Sequence, residues 1–313
     1  MTIWTPAHGV ISLPDGKGVR VTRSVRWIVR AGVLIALVLA AGWTMGSQMT
    51  RPSLSAVAPA TAPARNFTLL TADSMRIAAT WRPGRGEGGP AVLLLHGNGA
   101  SRAMMAETAE WLAGEGYATL TIDFRGHGES SQTGRSFGLR ESRDAAAAFA
   151  WLKRRQKGAR IGVIGVSLGG AASLLGDDGP LPADALVLQA VYPDIRRAVR
   201  NRIAAIATSV PAYLIEPLLS FQARPRFGVW PGRISPIAAL ARYRGPVLVI
   251  GGGADLYTPP DESRAMFAAA PGPRALWLVE GMDHAHVSGL RTPEYRRHLL
   301  GFFRRWIGTP AAQ

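Results

Sequence analysis

The sequence predicts an α/β domain, with helices on both sides of a mostly parallel sheet, set behind an N-terminal membrane-spanning helix. Three observations carry this. Beyond residue 65, short apolar runs alternate with longer helical patterns. Most of those runs are nearly continuous in apolar residues, as strands covered on both faces are. Ala31 to Thr50 holds no charged side chain.

Composition sets the bounds. A chain of 313 residues that is 47% apolar and 18% charged can bury a sizeable core and is not a disordered polypeptide. Cysteine is absent, which excludes a disulfide framework, a thiol nucleophile and every cysteine-ligated metal site. The net charge of +15 raises nucleic acid or an anionic membrane as a partner. Beyond residue 64 the basic residues are scattered, with no aromatic-interleaved stripe and no zinc spacing, so no nucleic acid partner is expected.

The N-terminal elements follow in order. Residues 1–26 form a basic segment with Arg20, Arg23 and Arg26. Residues 27–50 read as a transmembrane signal-anchor, or alternatively as a signal peptide. The uncharged twenty residues would span roughly 30 Å as a helix, the thickness of a hydrocarbon core. Trp27 and Trp43 sit where interfacial aromatics are favoured. Basic residues precede the span, which predicts a cytoplasmic N-terminus and a single-pass protein whose main domain is extracytoplasmic. Signal cleavage would instead leave it secreted or periplasmic. Residues 51–64, rich in proline and alanine, read as a partly extended tether, and the folded domain is expected from Arg65.

Within that domain Asn66–Thr71 and Met75–Trp81 read as a hairpin. Ala91–Leu95, Tyr117–Ile122, Ile161–Gly165, Ala185–Gln189, Val247–Ile250 and Ala275–Val279 read as the covered strands. Ala103–Ala113, Glu141–Arg155 and Leu168–Leu175 read as helices between them. Reactive groups in such a sheet collect at the carboxyl ends of strands.

Gly165-Val166-Ser167-Leu168-Gly169 stands at one such end. A serine between two glycines suits a strained strand-to-helix turn that aims the hydroxyl out of the sheet. A serine hydroxyl is a poor nucleophile at neutral pH and needs a histidine base, itself oriented by an acid. Two later strand ends offer Asp255 and His284, in the order serine, acid, histidine. His96-Gly97-Asn98-Gly99 follows the Ala91–Leu95 run. The backbone N–H groups of Asn98 and Leu168 are the expected donors to a developing oxyanion.

At these residues the chain resembles the α/β-hydrolase superfamily. Asp123-Phe124-Arg125-Gly126-His127-Gly128-Glu129-Ser130 is similar to a stretch of its monoglyceride lipase and serine aminopeptidase-like branch. The resemblance covers residues 65–313. It implies an α/β-hydrolase fold with an eight-stranded, mostly parallel sheet, and a serine hydrolase with Ser167, Asp255 and His284 as its triad. His127 would then be structural, as His96 is expected to be. Val166 stands where many relatives carry a histidine. His286 lies two residues beyond His284; Gly281-Met282-Asp283-His284 resembles the family's Gly-x-x-His close and favours His284 as the base.

Residues 191–245 interrupt the strand pattern and are expected to form a small helical cap over the site. Arginines at 196, 197, 200 and 202 fall along one helix, as a solvated face or as contacts to an anionic headgroup. Pro293–Ile307 reads as a closing amphipathic helix. The expected activity is hydrolysis of a small-molecule carboxylic ester, with thioester or amide bonds as variants, needing no metal or organic cofactor. A peptidase or acyltransferase on the same triad, or a catalytically silent anchored binding protein, are the alternatives. Oligomeric state is not legible in the sequence.

Overall fold

A computed structural model describes residues 23–177 and 179–310. The leading segment 1–22 lies outside the described residues. The chain forms two compact units, one ending at Ala41 and the other running from Gly42 onward.

Helix α1 (Arg23–Met49) is long and apolar enough to cross a membrane, a test that a signal sequence also passes. Within its first unit, Ile28, Val33, Leu34, Ile35 and Leu37 are all exposed, as they would be in a helix that meets lipid. The Arg30 guanidinium lies 5.5 Å from the Trp27 ring.

The second unit is built on a sheet. Its strands are β2 (Arg65–Leu70), β3 (Arg76–Arg82), β4 (Ala91–Leu95), β5 (Ala118–Ile122), β7 (Ile161–Val166), β8 (Ala185–Gln189), β9 (Val247–Gly252) and β10 (Arg274–Val279). Two short strands, β1 (Ser53–Leu54) and β6 (His127–Gly128), pair separately and in parallel. The eight lie in the order β10-β9-β8-β7-β4-β5-β3-β2. β3 alone runs against the others, pairing antiparallel with both β2 and β5.

Helices α2 (Ala106–Gly114), α3 (Glu141–Arg155), α4 (Leu168–Leu174), α9 (Pro260–Ala269), α10 (His284–Ser288) and α11 (Pro293–Trp306) connect or close the strands. Period-two alternation divides the core between the faces. Leu93, Leu95 and Val163 pack with Leu152 of α3 and Leu174 of α4. Val92, Leu94 and Ile164 face the other way, onto Leu112 of α2 and Leu299 and Phe303 of α11. Both clusters bury long rows of aliphatic side chains, which dominate the folding free energy at about 25 cal/mol per Å² of apolar surface.

The sheet order reverses around β4, whose neighbours are β5 and β7. Such a switch point opens a crevice at the strand ends, and that positions the site. Between β8 and β9 the insertion folds as α5 (Ile195–Ile206), α6 (Ser209–Ser220), α7 (Ala223–Phe227) and α8 (Pro236–Leu240).

Three expectations require correction. The last strand, β10, is not covered on both faces: it pairs only with β9 at the sheet edge and its residues are exposed or half-buried. Residues 51–64, expected as a partly extended tether ahead of a domain that begins at Arg65, are in part bonded to that domain. Ser53 N–H donates to Gly126 O at 2.7 Å, Ser55 N–H to Gly128 O at 3.1 Å and Val57 N–H to Glu129 Oε1 at 3.1 Å. The proline-rich composition discouraged helix but left these backbone donors free to pair. Nor do the α5 arginines simply face solvent: Arg196 Nε and Arg200 Nη2 reach the fully buried Glu216 carboxylate at 2.9 and 3.6 Å.

Candidate active site

The serine turn is held by crowding and by one carbonyl. Ser167 adopts φ 48° and ψ −107°, a left-handed conformation that costs a non-glycine residue of order 1–3 kcal/mol. It persists because its surroundings over-determine it. A Cβ on Gly165 would lie 2.5 Å from the Gly170 backbone, and one on Gly169 would lie 2.3 Å from Leu95 O. Only glycine lets β7, α4 and the end of β4 approach this closely. Ser167 N–H donates to Gln189 O at 2.8 Å.

The Asn98 loop abuts this turn: a Cβ on Gly97 would be 3.8 Å from Ser167 Cβ. Asn98, Ser167 and Leu168 line one small cavity. Leu168 is the first residue of α4, so its N–H has no acceptor within the helix. Asn98 Oδ1 accepts from Arg135 Nη1 at 3.1 Å.

Asp255 follows β9 and is buried. Its Oδ1 accepts from the N–H groups of Tyr257 and Thr258, both at 2.8 Å. Its Oδ2 accepts from Thr258 Oγ1 at 2.6 Å and lies 2.8 Å from His284 Nδ1. Burial works to raise its pKa, but the bond and charge of His284, with the Thr258 donors, outweigh it and hold the carboxyl below its ordinary value. The geometry assigns a proton to Nδ1 and leaves Nε2 as the imidazole's basic nitrogen. Tyr257 meets the His284 ring edge-on at 5.3 Å, and Arg202 lies 5.1 Å from the Tyr257 ring.

The structure thus joins Asp255 to His284. Among the described residues no hydrogen bond links Ser167 Oγ to His284. His286 is exposed and bonds Asp283 at 2.8 Å, away from Asp255. Asp283 also caps α10 by accepting from His286 N–H at 2.9 Å.

The two other histidines of the motifs are internal. His96 is fully buried; its Nε2 accepts from Phe124 N–H at 3.1 Å while Nδ1 faces Gly97 O at 2.7 Å. Burial pushes its pKa down to about 3, so it is neutral. His127 is likewise depressed by burial, and its ring stands 5.1 Å from that of His96. Asp123 anchors Arg102, whose other guanidinium nitrogen bonds Glu129 at 2.5 Å. Arg125 is clamped between Asp73 and Asp144 at 2.6 and 2.7 Å.

Sequence reasoning missed Gln189, Thr258 and Met49. Gln189 Nε2 donates to Val287 O at 2.5 Å and its Oε1 accepts from Tyr295 OH at 2.9 Å, which ties the serine turn to α10. A polar residue closing an apolar strand run was the available signal. Met49, from the last turn of α1, lines the cavity that holds Ser167, and no local pattern announces it.

A hydroxyl presented in a strained turn at the switch point of a mostly parallel sheet defines a class, the α/β hydrolytic enzymes. Over 236 residues the chain is 34% identical to an uncharacterized protein of Mycobacterium tuberculosis, covering 74% of this chain and 75% of that one. The chain belongs to the α/β-hydrolase superfamily of serine hydrolases, and residues 87–227 match its serine aminopeptidase S33 family. It is 33% identical over 118 residues to the lysophosphatidylserine lipase ABHD12 of Rattus norvegicus, covering 36% of this chain and 29% of that protein. An esterase of Pyrococcus furiosus shares the fold with a TM-score of 0.66 at 22% identity, covering 83% of this chain and 99% of that one.

Proposed function

We propose that the protein is a membrane-tethered serine hydrolase that cleaves carboxylic esters through an acyl-enzyme. The observation that carries this is the 2.8 Å contact between His284 Nδ1 and the buried Asp255, at the carboxyl end of the parallel strands, the same end at which Ser167 sits in its strained turn. Ser167 Oγ attacks the acyl carbonyl while His284 Nε2 accepts its proton. The imidazolium then protonates the departing alcohol, and Asp255 stabilises the positive charge on the ring. Water, deprotonated by the same histidine, releases the acid. The Asn98 and Leu168 N–H groups hold the oxyanion; one such donor contributes roughly 10²–10³ in rate.

Ser167 and His284 must draw together for the proton transfer, and catalytic hydrogen bonds that are long without substrate tighten when it binds. The rat relative's name makes a single-chain lipid ester the first substrate to test, ahead of thioesters and amides. α1 supports a single-pass anchor, with the basic N-terminal side cytoplasmic and the hydrolase domain outside.

The test is labelling of the full-length protein with a fluorophosphonate, alongside Ser167→Ala. Wild type should label and hydrolyse esters; the variant should lose labelling and about 10⁶ in turnover. A folded wild type that neither labels nor turns over an ester overturns the reading.

A further inference from the structure

The last two turns of α1 belong to the hydrolase unit and are fastened to the cap. Gln222 Nε2 donates to Gly42 O at 2.8 Å. Arg226 Nη2 reaches Trp43 O at 2.8 Å and Ser47 Oγ at 2.9 Å, and its guanidinium stacks 3.9 Å from the Trp43 ring. Gly46 is the buried residue of α1: a Cβ there would fall 2.1 Å from Gln222 Oε1. From the other side, Arg135 N–H donates to Thr50 O at 2.8 Å. Close helix approach, two carbonyls bonded by side chains and a cation on an indole make this end of α1 a fixed wall.

What the wall encloses is apolar. Behind the cavity of Ser167 lies a second one that ends between α1 and α7, where Gly46 and Phe227 line it. Met49, Phe137, Ile195 and Val199 border both cavities. Each has room for roughly one water molecule, so an acyl chain enters only if this partition yields. Ile195 and Val199 are β-branched and stiff on a helix. Met49 is unbranched, half-buried and bound by no hydrogen-bonding group, so it is the side chain able to swing.

We infer that the last turn of α1 is part of the substrate site, with Met49 gating one blind apolar channel that takes the chain of a single-chain lipid ester. This rests on the proposed hydrolase reading and adds to it the residue that sets chain length. The membrane helix is then a component of specificity as well as an anchor.

The experiment uses the full-length protein in detergent and p-nitrophenyl butyrate and dodecanoate. In Met49→Trp, which fills the partition, the dodecanoate-to-butyrate ratio of kcat/KM should fall at least about tenfold; in Met49→Ala it should rise. Met45→Trp, on the exposed side of the same turns, should keep the wild-type ratio. Ratios unchanged in both Met49 variants overturn the inference. A second measurement needs no substitution. Wild type is phosphonylated by a hexadecyl fluorophosphonate carrying a diazirine midway along its chain, then irradiated. Cross-links to peptides containing Gly46–Thr50 support the channel, and cross-links confined to other segments overturn it. Absence of phosphonylation in folded wild type would sink the hydrolase reading itself, which separates the two failures.

Discussion

The N–H of Ser167 donates to the carbonyl of Gln189 at 2.8 Å, while the side chain of Gln189 grips the helix that begins with His284. One residue at the end of β8 therefore sets the Ser167 turn and the helix of His284 relative to each other. Gln189→Leu keeps the volume but leaves Val287 O and Tyr295 OH unpaired, each costing about 1–3 kcal/mol. Its melting temperature should drop. At a temperature where the variant is fully folded, kcat should fall more than KM changes. Unaltered kcat in folded Gln189→Leu would remove its positioning role.

Asp255→Asn should reduce kcat by about 10⁴, because an amide cannot hold the imidazole in its working tautomer or stabilise its charge. His284→Ala should be as damaging as Ser167→Ala. His286→Ala, which removes an exposed ring bonded only to Asp283, should keep near-normal turnover. Steady-state kinetics on one ester checks all three, and an inactive His286→Ala beside an active His284→Ala would reverse the assignment.

Gly169→Ala should destabilise the fold by about 3 kcal/mol or more, since its methyl would overlap Leu95 O at 2.3 Å and backbone on both sides must shift. Thermal unfolding measures it. A variant that melts with wild type would show that α4 moves freely against β4.

Glu262 brings a pH dependence of defined sign. Burial pushes its pKa up to about 7, against one bond from Asn201 Nδ2 at 2.9 Å. The folded state then holds a proton that the unfolded state releases at the ordinary carboxyl pKa. Its contribution is full below that ordinary pKa and is lost as pH rises through about 7. Glu262→Gln should therefore gain stability relative to wild type at pH 8 more than at pH 5. Equal melting differences at both values would refute the shift.

Glu216 is fully buried beneath Arg196 and Arg200, with Ser220 Oγ at 2.5 Å. Glu216→Ala strands two cations on α5 and frees α6 from it. Hydrogen exchange in Ile195–Ser220 should accelerate while that of β4 and β7 stays slow; equal protection in the variant would contradict the clamp.

The strands and the serine turn were legible because their signals are local. Gly165 and Gly169 flank Ser167 in the sequence, and Val247–Ile250 is apolar without interruption. The covered strands other than β10 and the α3 helix followed from such runs, and Asp255 and His284 stand beyond the ends of two of them. Gln189, Glu216 and Met49 could not be read in this way. Each acquires its meaning from a partner brought close by tertiary folding, and a glutamine, a glutamate or a methionine in isolation looks ordinary. The bonding of residues 51–64 was illegible for a related reason: composition reports on burial, whereas Ser53 and Val57 are held through backbone N–H groups, which almost any residue can offer.

The pairing of β1 with β6 bears on biosynthesis. Ser53 leaves the ribosome well before His127, and Val57 must wait for a partner 72 positions downstream. A nascent chain therefore carries an unfinished strap until Glu129 has been made. Contacts so distant along the polypeptide form late and slow maturation.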